Sequence, residues 1–382
     1  MPQGRGRGPR SAYRAQGHAQ HRRRRGRPDG RGDRDLNLGE LFPDAPGYLD
    51  SATYGLPPAN AVAAMLDAVD QWRGGRASAR GYDEYVARAR SAFGRLVGVP
   101  EEQVATGSQT SAFAGVVAAS LPPGAEVLCA EGDFTSVLFP FLAQRERGVT
   151  VRSVALERVA AEVRESTGLV ALSAVQSSDG RIADLDAIAQ AAHAHGCATF
   201  VDATQACGWL ALDASRYDYV ACSAYKWLLS PRGSAFFTVR PERLARLVPH
   251  AAGWYAGEDR WDSIYGEPLR LAHDARRLDL SPAWLCWVGT APALELLADL
   301  GAESVGAHGV ALASRLREAL GLEPSRSAIV SLHTPGAAES LERAGIRASV
   351  RGGAVRLCFH LYNSEDDVDA VIAALGVGSL ET

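Results

Sequence analysis

The chain has 382 residues, enough for two domains or one large one, and its 40 basic and 44 acidic residues are unevenly distributed. Residues 1–34 hold 11 arginines and two aspartates, so the rest of the chain carries 29 basic and 42 acidic side chains. An acidic body gives no support to a nucleic-acid function, and no window approaches the roughly 18 consecutive apolar residues of a membrane span.

The arginine-rich arm, residues 1–34, has several glycines and no apolar periodicity, so we predict that it is disordered. Such an arm could bind nucleic acid or anionic lipid, but a solvated tail, or a start codon assigned too far upstream, explains it more simply. The arm lacks the apolar segment of a secretory signal. The six cysteines are scattered without a CxxC pair, which favours structural burial in a reducing compartment. We therefore predict a cytoplasmic protein without a metal site.

Helical and buried-strand patterns alternate from residue 36 onward. Helices are predicted at 58–72, 82–97, 111–120, 185–195, 290–300 and 366–375. Strand patterns lie at 126–130, 149–155, 169–175, 198–202, 217–223 and 234–239. This alternation predicts an α/β fold whose large domain, residues 35–270, has a mostly parallel sheet with helices on both faces. A smaller α/β domain, residues 271–382, contains two further strand patterns, at 328–333 and 354–361.

Lys226 is the only lysine in the chain; the other 39 basic residues are arginines. Arginine stays protonated in proteins, whereas a desolvated lysine can lose its proton and attack a carbonyl to form a Schiff base. A genome that prefers arginine could leave one lysine by chance. Asp202 argues against chance, because it ends an apolar strand pattern, and the next such pattern, 217–225, brings Lys226 to the same edge of the sheet.

A lysine and an aspartate at one sheet edge are the two groups that a pyridoxal phosphate site requires. Lys226 would hold the cofactor aldehyde as a Schiff base, the internal aldimine. Asp202 would keep the pyridine nitrogen protonated, so that the ring can accept electrons from the substrate. The residues themselves therefore predict pyridoxal 5'-phosphate as the cofactor.

Four segments carry a resemblance to a known family: 48–52 (YLDSA), 201–206 (VDATQA), 223–227 (SAYKW), and 355–357 with 361–364 (VRL, LYNS). In this order they resemble the class V aminotransferases, which include cysteine desulfurases, kynureninases, isopenicillin N epimerase-like proteins and ergothioneine C–S lyases. The resemblance implies a fold type I enzyme with a mostly parallel seven-stranded sheet in the large domain and a smaller C-terminal domain. It also implies a homodimer whose active sites lie between the subunits.

The resemblance implies three groups of cofactor phosphate ligands. The stretch TGSQTS, between a short strand and a helix, matches the family's phosphate loop, where Ser108, Gln109 and Thr110 are the candidates. A helix N-terminus attracts phosphate, although such a stretch can also be a simple helix cap. Ser223 lies where the family has a further phosphate ligand, and Tyr225 replaces the histidine that is common there.

Other positions match the residues that contact the cofactor ring and the substrate. Phe134 occupies the position of an aromatic or imidazole ring that stacks on the pyridine. Desulfurases generally have histidine there, and phenylalanine cannot move protons. Gln205 and Ser177 match groups that bind the phenolic oxygen. Arg356, on a strand that resembles the family's carboxylate-binding strand, would grip an amino-acid carboxylate with two hydrogen bonds, and Arg351 is a second candidate.

Segment 347–354 is short and has no cysteine where desulfurases place the one that accepts the persulfide, so that route is not expected. The preferred function is β-elimination at a sulfur- or heteroatom-bearing side chain, because SAYKW followed by SPRG resembles the C–S lyases. An aminotransferase, an isopenicillin N epimerase-like epimerase and a decarboxylase stay open. A non-catalytic protein that keeps the fold is the alternative from another class.

Overall fold

A seven-stranded sheet forms the centre of the computed structural model, which describes residues 37–376. Its strands are β1 (Val104–Gly107), β2 (Glu126–Ala130), β3 (Thr150–Val154), β4 (Thr167–Ser173), β5 (Ala198–Asp202), β6 (Tyr219–Ser223) and β7 (Ala235–Val239). The order across the sheet is β1-β7-β6-β5-β4-β2-β3; β7 runs antiparallel to both β1 and β6, and the other neighbouring pairs are parallel. The predicted α/β fold with a mostly parallel seven-stranded sheet is confirmed.

Helices cover the sheet and build the rest of the described chain. They are α1 (Leu38–Leu41), α2 (Ala59–Arg73), α3 (Ala79–Val97), α4 (Thr110–Ser120), α5 (Thr135–Leu142), α6 (Leu185–Ala194), α7 (Pro241–Leu244), α8 (Trp284–Leu300), α9 (Ala302–Ala319), α10 (Ala337–Arg343) and α11 (Glu365–Ala374). The central strands are buried on both faces, which is why they appear in the sequence as continuous apolar runs. The predictions for residues 1–34 fall outside the described residues.

A second, antiparallel sheet has the order β8-β10-β9, from β8 (Ile329–Leu332), β9 (Ser349–Arg351) and β10 (Ala354–Cys358). The two glycines between β9 and β10 have φ angles of 55° and 82°, which suits the tight turn of a two-residue hairpin. Helices α9, α10 and α11 pack against this sheet around an apolar cluster of their own. Residues 37–376 belong to one compact unit. The domain boundary predicted after residue 270 stays a prediction.

Two helices are longer than the sequence pattern indicated. α3 begins at Ala79 rather than 82, because the Ser78 side chain accepts a hydrogen bond from the backbone of Gly81 and caps the helix. α8 begins at Trp284 rather than 290, and Trp284, Leu285 and Val288 near its start pack with apolar residues of α2 and α3. Within the described residues, no single helix is both long and apolar enough to cross a membrane, although by length and composition the bent pair α8 and α9 could.

Candidate active site

The carboxyl ends of β4, β5 and β6 meet at one edge of the large sheet, where they border a cavity that is partly open to solvent. Such an edge is the usual ligand site of an open α/β sheet. Eight of the predicted site residues line this cavity: Thr110, Phe134, Ser177, Asp202, Gln205, Ser223, Tyr225 and Lys226. Ser136, Ser173 and Thr204 complete the lining.

Lys226 lies in the turn after β6, and its side chain is almost completely buried. Its amine forms no hydrogen bond or ion pair with any residue between 37 and 376, and it lies 5.2 Å from the centre of the Phe134 ring. The pKa of the amine is lowered to about 8, chiefly by burial; Asp202 opposes this shift, and Arg356 and Arg351 add to it. A substantial fraction of the amine is therefore neutral near physiological pH and can act as a nucleophile.

Asp202 is the last residue of β5, and its carboxylate is also buried. The pKa of this group is raised to about 6, chiefly by burial; hydrogen bonding to Thr204, whose backbone N–H is 2.9 Å away, opposes the shift, and the Asp133 carboxylate adds to it. The side chain is therefore mostly ionised at neutral pH, and a protonated ring nitrogen would be a suitable partner for it.

Two glycines make room for the backbone around Lys226. A Cβ atom at Gly55 would lie 2.0 Å from the Lys226 carbonyl oxygen, and one at Gly208 would lie 2.3 Å from the Trp227 carbonyl oxygen. The Gly55 N–H also donates to the carbonyl of Tyr225 at 3.0 Å. Only glycine permits such close approach. These contacts hold the lysine-bearing turn in place, and nothing in a single sequence distinguishes these glycines from the others.

Three hydroxyl groups cluster at one end of the cavity. The Thr110 hydroxyl lies 3.0 Å from both the Thr204 and the Ser223 hydroxyls, and the Thr110 N–H donates to the Ser223 hydroxyl at 3.0 Å. Thr110 is the first residue of α4, so the N-terminus of this helix faces the cluster. Ser108 and Gln109 are exposed and do not line the cavity. The role of Ser108 and Gln109 as phosphate ligands stays a prediction; of the three candidates in this loop the geometry favours Thr110, together with Thr204.

Asp133 positions the predicted stacking residue, Phe134. Its carboxylate accepts hydrogen bonds from the Phe134 N–H at 2.6 Å and from the Ser173 N–H and hydroxyl at 2.7 and 2.5 Å. The backbone that leads into α5 is thereby tied to the end of β4. The sequence analysis missed this aspartate, although its place directly before Phe134 was a usable signal.

Gln205 is held by a network around the buried Trp227. The indole N–H of Trp227 can only donate, so the side-chain atom of Gln205 that lies 2.8 Å from it is the amide oxygen. The amide nitrogen of Gln205 therefore donates to the Ser177 hydroxyl and to the Ala52 carbonyl. Both predicted partners of the phenolic oxygen, Gln205 and Ser177, therefore lie side by side at 3.1 Å.

Arg356 lies on β10 and is 1% exposed. Its guanidinium donates to the Ser177 carbonyl, to the Thr53 hydroxyl at 2.8 Å and to the Ser349 hydroxyl at 3.1 Å. The Asp50 carboxylate is 3.9 Å away, and both the Arg356 Nε and the Asp50 Oδ1 are buried without a hydrogen-bond partner. Arg356 does not line the cavity itself but reaches it through Ser177. A buried, incompletely satisfied guanidinium is suited to receiving a carboxylate.

Comparison with known proteins connects this geometry to a family. The family model of aminotransferase class V matches residues 47–337. An uncharacterized aminotransferase of Bacillus subtilis, YcbU, is 28% identical over 304 residues, which cover 73% of this chain and 80% of the relative. Isopenicillin N epimerase of Streptomyces clavuligerus is 27% identical over 337 residues, which cover 75% and 83% of the two chains.

Solved structures share the fold. A complex of the cystine C–S lyase C-DES with its product cysteine persulfide superposes with a TM-score of 0.79 at 21% identity, covering 87% of this chain and 98% of that one. The cysteine desulfurase CsdA of Escherichia coli gives a TM-score of 0.73 at 22% identity, covering 87% and 94%. From the family match and the site geometry, the chain belongs to aminotransferase class V, a family of pyridoxal phosphate-dependent enzymes.

Proposed function

We propose that this enzyme acts on an α-amino acid and eliminates a sulfur or other heteroatom group from the β-carbon, as a C–S lyase does. In this proposal Lys226 binds the cofactor and moves the substrate's α-proton. The observation that carries it is the buried Lys226 amine, which has no partner in the described chain, a pKa of about 8 and a position in the same cavity as Asp202. A homodimer and a cytoplasmic location remain predictions.

The residues present fit the cofactor. Asp202 would pair with the pyridine nitrogen, Gln205 and Ser177 would contact the phenolic oxygen, and Phe134 would cover the ring. The hydroxyls of Thr110, Thr204 and Ser223 would turn from one another towards the phosphate, together with Tyr225. Pyridoxal phosphate, when bound, supplies an electron sink for the carbanion that forms at the substrate's α-carbon.

Elimination needs one base at the α-carbon and a group that leaves with its bonding electrons. Among the residues that line the cavity, Lys226 is the base suited to this task, and Phe134 cannot act as a second one. Within residues 37–376 no cysteine lines the cavity, and burial raises the pKa of the nearby Cys358 thiol to about 11. A thiol in that state is a poor persulfide acceptor, which disfavours the desulfurase route.

Epimerisation is a second candidate, because two isopenicillin N epimerases are each 27% identical to this chain. It requires a proton to return to the face opposite the one from which it left. Apart from Lys226, the cavity offers mainly hydroxyl groups and a phenol for that step. Epimerisation would therefore depend on Lys226 serving both faces or on Tyr225 acting as the second group.

Product analysis separates these reactions. The enzyme, loaded with pyridoxal phosphate, is incubated in deuterium oxide with S-substituted cysteines. Elimination consumes water and releases the thiol, pyruvate and ammonium in equal amounts. Epimerisation instead leaves the amino acid intact, with deuterium at an inverted α-carbon, and transamination yields a 2-oxo acid that keeps its side chain. Absence of thiol and pyruvate for every S-substituted cysteine would reject the C–S lyase proposal.

The lowered pKa of Lys226 predicts the pH dependence of cofactor capture by the cofactor-free protein. Because the neutral amine is the nucleophile, the rate should rise as the pH passes through about 8. Since the Asp202 carboxylate raises that pKa, Asp202→Asn should move the midpoint to lower pH. Growth of the visible cofactor band after mixing measures the rate at each pH. Asp186→Asn, which removes an equivalent charge at an exposed position on α6, should leave the midpoint unchanged.

A further inference from the structure

Two arginines converge on the Thr53 hydroxyl: Arg356, which reaches the cavity through Ser177, and Arg351, which lines a separate cleft that also contains Asp50. Arg351, at the end of β9, donates to the Thr53 hydroxyl at 3.1 Å, and Arg356 donates to the same oxygen at 2.8 Å. The pairing between β9 and β10 sets the positions of both arginines. The two-glycine turn that joins these strands comes directly after Arg351. Two guanidinium groups that share an oxygen repel each other unless an anion lies near them.

The described chain supplies little negative charge to this pair. Within residues 37–376, no carboxylate lies within 4.0 Å of Arg351, whose other contact is the Val350 carbonyl at 2.8 Å. Among the described residues, Arg356 has one carboxylate within that distance, Asp50 at 3.9 Å. Outside the arm the chain has 42 acidic and 29 basic residues, so acids are not scarce. An incompletely neutralised arginine pair, one member of which contacts the cavity-lining Ser177, therefore points to anionic groups that arrive with the ligand.

The two arginines lie at different depths. Arg356 is 1% exposed, whereas Arg351 is exposed at the surface. Both lower the pKa of Lys226, and Arg356 has the larger effect, which agrees with Arg351 lying farther from the amine. The α-carboxylate of an amino acid is attached to the carbon that reacts, so the inner Arg356 is placed to bind it. The outer Arg351 then remains for a group farther along the substrate.

We propose that the substrate carries a second carboxylate at the end of its side chain and that Arg351 and Thr53 bind it. This inference rests on the proposed function, since it assumes that an α-amino acid occupies the cavity. In this proposal Arg351 is a specificity-determining residue. Arg351 selects substrates with an anionic side chain and takes no part in moving the proton. The competing arrangement has both arginines sharing the α-carboxylate.

Matched pairs of amino acids that differ only in side-chain charge test the inference. The probes are S-carboxymethylcysteine against S-carbamidomethylcysteine, and glutamate against glutamine. Each is titrated into the cofactor-loaded enzyme, and the change in the visible cofactor spectrum gives its dissociation constant. The wild type should bind the charged member of each pair roughly tenfold more tightly. Arg351→Gln should remove this preference and leave binding of the neutral members within about twofold.

Arg343→Gln is the control, because Arg343 lies on α10, is exposed, and within residues 37–376 hydrogen-bonds only to Glu339 and Ser340 of its own helix. It should keep the preference for the charged members. If Arg351→Gln weakens both members of a pair equally, the two arginines share the α-carboxylate and the inference is overturned. If the wild type binds both members of each pair equally, the inference about the second carboxylate is overturned, but the proposed function is not. If no amino acid alters the spectrum, the proposed function fails together with it.

Discussion

Replacing Lys226 with alanine is expected to abolish the visible cofactor band and to lower turnover by at least roughly 10³-fold. The amine is the only lysine side chain in the protein, and among the described residues no other amine lines the cavity. Steady-state rates with S-substituted cysteines and the absorbance spectrum of the purified variant measure the two effects. Retention of both the band and turnover would reject Lys226 as the group that binds the cofactor.

Lys226→Arg is the matched control for loss of the side chain itself. It keeps a cation in the cavity but cannot form a Schiff base, so it should be as inactive as the alanine variant. Its denaturant unfolding should stay close to that of the wild type. Borohydride reduction of the cofactor-loaded wild type should join the cofactor irreversibly to a single lysine peptide. A label on any other peptide would contradict the assignment.

Asp279→Ala is expected to destabilise the protein by about 3–5 kcal/mol, the usual cost of leaving one member of a buried ion pair without its partner. Asp279 is 0% exposed and pairs with Arg90 of α3 through contacts of 2.6 and 3.2 Å. It also accepts a hydrogen bond from the Thr106 N–H at 2.7 Å. The free energy of unfolding, from urea titration, measures the loss.

A second ion pair on the same helix provides the control. Arg95 of α3 contacts Asp299 of α8 at 3.1 Å, but both side chains are more than half exposed. Asp299→Ala should therefore cost no more than about 1 kcal/mol, since solvent screens such pairs. Because Asp279 holds Thr106, four residues before Thr110, Asp279→Ala should also weaken cofactor binding. Similar small losses in both variants would mean that burial does not strengthen the Arg90–Asp279 pair.

Most of the large sheet was predictable because its strands are buried on both faces. The patterns at 126–130 and 198–202 coincide with β2 and β5, since apolar runs of that length leave few alternatives. α5 and α9 were missed. α5 contains Pro140, and α9 contains Gly306 and Gly309, residues that disfavour helix locally. Packing against the sheets overcomes those local preferences.

The residues of the candidate site were likewise only partly predictable from the sequence. Lys226 and Asp202 stand out in the sequence because each lies at or just after the end of an apolar strand run. Thr204 did not stand out, because its proximity to the cavity depends on how separate elements pack. Asp133 was missed although it directly precedes Phe134. Ser108, Gln109 and Thr110 were all candidates from one loop, and no local pattern indicates which side chain of that loop faces inward.

The sequence by itself determined the chemistry that is available: one lysine, an aspartate at a strand end, and an arginine on a late strand, in an acidic α/β protein. The tertiary structure alone decided how those groups behave. Burial lowers the pKa of Lys226 and raises that of Asp202, and the Thr53 hydroxyl joins Arg351 to Arg356. Burial and contacts between distant residues arise from packing, whereas a sequence pattern records only neighbours along the chain.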